Sequence, residues 1–279
     1  MSAALEEAKR RGLVAAVTDE EGMSGKLRSE KVRVYAGFDP TANSLHVGHL
    51  APIMLLRLLK RHGHEIYPLV GGGTALIGDP SGRDAQRPMT DAEEVSVSTE
   101  RVRSQLRALT EEMPENNAHW LQGQSLIEFL RDVGGRFSVS ELLRQETFKR
   151  RLDAGEGLSF LEMAYPLIQA MDFLVMRRRA ECSLQVGGSD QWANICAGID
   201  LVRRVDGVRV YGATCPLLTD SNGRKIGKTS GGRAVWLDGS LTDDHAFFQH
   251  WRDVPDADVE RFLLAFTELP VDEAVELAN

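Results

Sequence analysis

The histidines of His46-Val-Gly-His49, with the lysines and threonine of Lys225-Ile-Gly-Lys228-Thr229, are the side chains of this 279-residue chain best suited to hold a polyphosphate under attack. Each imidazole can donate an N–H to a phosphate oxygen, and the lysines can neutralise charge gathering on a departing pyrophosphate. Gly48 has no side chain, so a flat adenine ring can lie against the backbone there. Together they suit an enzyme that holds ATP while its α-phosphate is attacked. Taken singly, each has a plain alternative: short His-x-Gly-His patterns recur by chance, and Lys225–Thr229 alone reads as an exposed cationic turn.

The elements around the histidines favour the chemical reading. Val32-Arg-Val-Tyr-Ala alternates as a short strand and runs into a turn rich in Gly, Pro and Asn. From Val47 to Arg61 the apolar residues recur at helical spacing, with Pro52 tolerable near the first turn. His46 and His49 therefore stand at a helix start, where unpaired N–H groups and the macrodipole attract phosphate, and their spacing puts them on one helix face. The second motif lies in a glycine-rich cationic loop, Asn222 to Gly232, in which Gly223 stands too close to Gly227 for a phosphate loop.

Tyr165, Gln169 and Asp172 follow at i, i+4 and i+7 of a predicted helix, a polar stripe among Leu167, Ile168, Phe173 and Leu174. The stripe is a site candidate, and a solvated face explains it equally well. Asp79 comes after an apolar strand, Ile66 to Val70, and a glycine-rich crossing, as at the carboxyl ends of parallel strands where α/β sheets bind ligands.

With three further blocks, Val70–Gly82, Tyr165–Phe173 and Leu184–Trp192, the chain resembles bacterial-type tyrosyl-tRNA synthetases, class I aminoacyl-tRNA synthetases, from about residue 5 to its end. His46–His49 stands at the family's HIGH signature and Lys225–Thr229 at KMSKS. The resemblance implies that Tyr35 and Asp172 bond the phenol of L-tyrosine, that Asp79, Tyr165 and Gln169 hold its ammonium, and that Gln185 and Gln191 line its carboxylate end. It places ATP against Gly37, Asp39, Gly48, Gly188, Asp190 and Lys228, with Asp190 on the ribose. His46, His49, Thr41, Lys225, Lys228 and Thr229 would stabilise the reacting phosphates. ATP with Mg2+ would form tyrosyl-adenylate, and tRNA(Tyr) would then accept the tyrosyl group; no protein metal site is implied. A pocket built to bond a hydroxyl leaves polar groups unpaired when phenylalanine enters, so Tyr35 and Asp172 would carry selectivity.

Departures from the family pattern are Ala36, where a cysteine often lies near the ribose, and Met171, where an aromatic is common and a packing change alone is expected. The chain also stops at Asn279, short of the family's full helical anticodon-binding domain and its small RNA-binding domain. Two other readings remain: a nucleotidyltransferase-like enzyme that adenylates something else, and a noncatalytic protein that keeps the pocket for ligand sensing or RNA scaffolding.

Composition fits an enzyme core. Hydrophobic residues make up 42% of the chain, and a net charge of −8 argues against indiscriminate nucleic-acid binding. The short basic runs Arg57–Arg61, Lys149–Arg151 and Arg177–Arg179 would serve a tRNA acceptor arm or simply be solvated helix faces. Cys182, Cys196 and Cys215 show no metal spacing and read as reduced core residues. No apolar run at the N-terminus suits a signal or membrane span, so the expected location is cytoplasmic.

The predicted fold is α/β: a Rossmann-like, nucleotide-binding parallel sheet over residues 1–218, with a helical connecting insertion at about 119–161, then the loop and the start of an α-helical domain over 219–279. Residues 3–29 read as a helical arm, Ser125–Val133 and Ser138–Leu152 as helices of the insertion, and Ala234–Leu237 as a short strand. By resemblance the insertion forms a homodimer interface with Phe129, Phe137 and Leu142, residues that core packing explains as well.

Overall fold

The computed structural model describes residues 1–81, 91–219 and 234–278. In chain order the elements are α1 (Ala3–Arg10), β1 (Ala16–Val17), α2 (Glu20–Ser29), β2 (Arg33–Phe38), α3 (Leu50–Arg61), β3 (Glu65–Val70), α4 (Ala92–Thr110), β4 (Glu115–Asn116), α5 (Ala118–Leu121), α6 (Leu126–Asp132), α7 (Val139–Leu142), α8 (Glu146–Asp153), α9 (Phe160–Ala180), β5 (Leu184–Gly188), α10 (Trp192–Asp206), β6 (Tyr211–Cys215), α11 (Asp244–Arg252), α12 (Asp256–Phe266) and α13 (Val271–Ala278).

The strands lie in the order β1-β6-β5-β2-β3-β4, all pairs parallel except β1 with β6. From β2 the chain moves outward to β3 and later returns to β5 on the other side. The strand order therefore reverses at β2 and β5, and a crevice opens beyond their carboxyl ends. Alternation along β2 divides the core: Val34, Ala36 and Phe38 pack with α1, α3 and α4, whereas Tyr35 faces α9 and α10.

Several boundaries differ from the sequence reading. The N-terminal arm, expected to be helical, also supplies β1, whose register with β6 pairs Ala16 with Thr214 and covers an edge of the sheet. Ser138–Leu152 is not one helix but α7 and α8. Leu142 and Phe148, both buried, stand six residues apart and cannot share one helix face, so the break lets both turn inward. Ala234–Leu237 forms no strand of its own; it makes an isolated antiparallel bridge, Trp236 opposite His46. Asp243 caps α11 by accepting from the Ala246 N–H, and Pro255 and Pro270 precede α12 and α13. The three cysteines are free thiols, and Cys182 and Cys215 are buried.

Candidate active-site cleft

A cleft of about 460 Å³ lies at the reversal of strand order. Tyr35, Gly37, Asp39, Thr41, His46, Gly48, His49, Asp79, Tyr165, Gln169, Asp172, Gln185, Gly188, Asp190 and Gln191 all line it, drawn together from β2, β3, α9, β5 and their following turns. Lys225, Lys228 and Thr229 fall outside the described residues.

The floor is built around Asp172. Its side chain is 3% exposed, and its two oxygens accept from Trp120 Nε1 at 2.8 Å and Asn117 Nδ2 at 3.0 Å. Burial pushes its pKa up to about 7, against the pull of those two donors. Tyr35 lies edge-on to Phe173, with ring centroids 5.1 Å apart. Burial, reinforced by Asp172, holds the Tyr35 phenol well above its ordinary pKa, so it stays protonated. The Tyr35 hydroxyl and Gln185 Oε1 are both buried without a hydrogen-bond partner among the described residues. Such groups are rare in native interiors, and two of them facing one cleft fit a polar ligand. Gln185 pairs with Tyr35 across β2 and β5, which sets it beside Tyr35 at the floor.

The middle of the cleft carries a linked polar network. Tyr165 donates its hydroxyl to Asp39 Oδ2 at 2.8 Å, and Thr74 donates to Asp39 Oδ1 at 2.7 Å. Asn117 joins this network to the floor, donating through Nδ2 to Thr74 as well as to Asp172. Gln191 donates to Asp79 Oδ2 at 2.7 Å and accepts from Gln169 and Asn194, both at 3.1 Å. Gln191 thus belongs with Asp79 and Gln169, while Asp39, assigned to ATP, holds Tyr165. Burial beside Asp39 and Asp79 raises the Tyr165 phenol well above its usual pKa. The carboxyl groups of half-buried Asp39 and buried Asp79, amid neutral acceptors, suit a cation.

The opposite wall is the histidine turn. Val47–His49 is a short 3-10 turn leading into α3, and His46 is its N-cap, not a residue on the helix face. Gly48 N–H donates to His46 Nδ1 at 3.0 Å, and His46 N–H donates to His49 Nδ1 at 3.1 Å. With both Nδ1 atoms accepting, each neutral ring carries its proton on Nε2, the tautomer that can donate to a phosphate oxygen. Burial next to His46 lowers the His49 pKa to about 3, so its ring is neutral at ordinary pH. A Cβ on Gly48 would meet the His46 ring at 2.7 Å, so glycine here preserves the imidazole as well as the approach to the backbone.

Ala36 does not line the cleft: the pleat turns it, fully buried, into the opposite core layer. Met171 is partly buried and packs beside α9's core face. Much of the basic runs is engaged within the fold. Arg57 and Lys60 donate to the carbonyls of Leu109 and Thr110, Arg151 pairs with Glu162, and Arg178 pairs with Asp206. Leu142 is buried in this chain's own core, and Phe129 and Phe137 pack against it. Asn117, Trp120 and Thr74 escaped the sequence reading because Asp172 and Asp39 stand far from them along the chain. The one available signal was a Trp N–H donor close to an asparagine in an otherwise charged segment.

A parallel sheet with a ligand cleft at its reversal point, a histidine turn opening a helix, and an acidic pocket behind it define a Rossmann-like enzyme core. Residues 27–279 match the model of the tRNA synthetases class I (W and Y), and the chain belongs to that family. It is 48% identical to the tyrosine–tRNA ligase of Caldanaerobacter subterraneus subsp. tengcongensis, over 99% of this chain and 68% of that protein. It is also 48% identical to that of Desulfatibacillum aliphaticivorans, over 96% of this chain and 63% of that protein. The chain thus spans about two thirds of these relatives' length. The crystal structure of a C-terminally truncated Coccidioides posadasii mitochondrial tyrosyl-tRNA synthetase superimposes with a TM-score of 0.85 at 33% identity, covering 99% of this chain and 81% of that one. Among the described residues, no helix is long and apolar enough to cross a membrane.

Proposed function

We propose that the chain activates L-tyrosine with ATP and that the resulting tyrosyl group passes to tRNA(Tyr) as a tyrosine–tRNA ligase in the cytoplasm. The observation that carries the reading is the cleft floor, where an unpartnered buried Tyr35 hydroxyl faces the same cavity as the doubly anchored Asp172 carboxyl. A phenol O–H entering there would donate to Asp172 and satisfy Tyr35, whereas phenylalanine would leave the buried Tyr35 hydroxyl without a partner and offer Asp172 no donor beyond Asn117 and Trp120. Asp79, Tyr165, Gln169 and Asp39 then surround the substrate ammonium. Its carboxylate oxygen attacks the ATP α-phosphorus; the new O–P bond forms as the bond to the β-phosphate oxygen breaks, and the electron pair leaves with pyrophosphate. No protein nucleophile is needed, since the attacking group is already charged, and catalysis rests on positioning and charge stabilisation. His46 and His49 donate Nε2–H to the phosphates; Thr41, Lys225, Lys228 and Thr229 complete the set, and Gly37, Gly48, Gly188 and Asp190 hold the nucleoside. Mg2+ arrives with ATP, and no described residue is assigned to it.

The domain division follows: residues 1–218 as catalytic core with its insertion at 119–161, and 219–279 as the loop and the opening of a helical domain. A homodimer formed through the insertion is supported by Leu126 and Ile127, 68% and 70% exposed on α6. The deciding experiment is tyrosine-dependent exchange of labelled pyrophosphate into ATP, with phenylalanine as control and a His46→Ala/Lys228→Ala double variant as blank. Exchange with tyrosine alone is expected. Tyrosine binding without exchange would refute activation and favour a sensor.

A further inference from the structure

The segment that delivers His46 into the cleft is gripped from both sides. On one side it meets the chain after residue 233: Val47 N–H donates to Val235 O at 3.0 Å and Leu237 N–H to Leu45 O at 2.8 Å. On the other side stands α4, which contributes no residue to the cleft lining. Gln105 of that helix accepts from the Leu45 N–H through Oε1 at 2.8 Å and donates through Nε2 to Ser44 Oγ at 2.9 Å. Ser98 adds an outer tie to Asn43 Oδ1 at 2.9 Å.

The demand at this point is specific. Ser44 and Leu45 are 3% and 1% exposed, so the Leu45 N–H has no recourse to water and must find an acceptor. Ser44 Oγ already spends its proton on Leu45 O at 2.7 Å and therefore needs a donor. A primary amide supplies acceptor and donor together, and Gln105 reaches both across sixty residues of sequence. The next residue, His46, takes its ring position from this backbone, because His46 N–H and Gly48 N–H fix the two imidazoles.

We propose that Gln105 is a positioning residue for adenylate formation: its side-chain amide fixes the Ser44–Leu45 backbone and through it the imidazole pair that meets the phosphates. The inference rests on the activation chemistry proposed above. Gln105 touches no substrate; removing its amide lets the strap move toward another partner for the Leu45 N–H, and a displacement of this kind far from the reacting atoms costs up to about 100-fold in rate. The phenol floor, held by Asn117 and Trp120 from other elements, is untouched.

The test compares Gln105→Met, Gln105→Asn and Gln105→Glu in the full chain, measuring tyrosine-dependent ATP–pyrophosphate exchange and equilibrium tyrosine binding. Met lacks both hydrogen-bonding groups and Asn is too short to make both bonds. Each is expected to lower the exchange kcat by about 10- to 100-fold while tyrosine Kd stays within about twofold. Glu still accepts from Leu45 N–H, and the Ser44 hydroxyl turns to donate to it, so Gln105→Glu is expected to recover most of the rate. If the Met variant does not fold, the Asn and Glu pair carries the test. Wild-type exchange in Gln105→Asn, a parallel loss of tyrosine affinity, or no recovery with Glu would overturn the proposal. Absence of exchange in the unsubstituted chain would instead overturn the activation reading, and this inference with it.

Discussion

Tyrosine affinity should depend on pH through one buried carboxyl. Asp172 titrates near pH 7 because burial disfavours its charge, and only the ionised form can accept the phenol proton while also accepting from Asn117 and Trp120. If ligand binds the ionised form alone, Kd scales with one plus the ratio of protonated to ionised Asp172, and rises about tenfold from pH 8 to pH 6. His49, with its pKa near 3, does not titrate in that window, and the tyrosine phenol stays protonated throughout it. The assay is calorimetric titration of tyrosine across the range, on the wild-type chain and on Asp172→Asn. The substituted chain should bind weakly at every pH and show no trend. The same group sets a stability sign. A folded pKa above the unfolded value means that the folded chain holds this proton more tightly. The stabilisation is therefore complete below about pH 4 and is lost as pH rises through 7, by about 4 kcal/mol in all. A flat wild-type Kd between pH 6 and 8, or an equal slope in Asp172→Asn, would refute the assignment of Asp172 as phenol acceptor.

Tyr35→Phe is expected to weaken tyrosine binding about threefold to tenfold and leave phenylalanine binding unchanged, narrowing the discrimination; unchanged tyrosine Kd by equilibrium dialysis would count against it. Gly48→Ala pushes a methyl group into the His46 ring and should cost about 100-fold in exchange kcat at unaltered tyrosine affinity, so wild-type kinetics would contradict the close approach. Arg11, 3% exposed, donates to the carbonyls of Leu264, Thr267 and Leu269 and to Glu7, joining α1 to the end of α12. Arg11→Met strands these acceptors and should destabilise by about 3–5 kcal/mol, lowering the melting midpoint by roughly 10 °C; a shift under about 2 °C would rule out that role.

The sequence by itself determined the local facts. The alternation of β2, the apolar periodicity of α3, and the one-faced spacing of Tyr165, Gln169 and Asp172 on α9 follow from short-range sterics and hydrophobic period, which any window of ten or twenty residues displays. It also marked nearly every described residue that lines the polar part of the cleft, because those residues sit in contiguous blocks. Only the tertiary structure decided who holds whom. Gln185 went to the Tyr35 end because parallel pairing set the two side by side; Asp39 took Tyr165; and Asn117, Trp120 and Gln105 gained roles through partners more than fifty residues away. A hydrogen bond requires about 3 Å between two atoms and puts no limit on the chain length between them, so such partnerships leave no period or spacing to read until the sheet has closed its register.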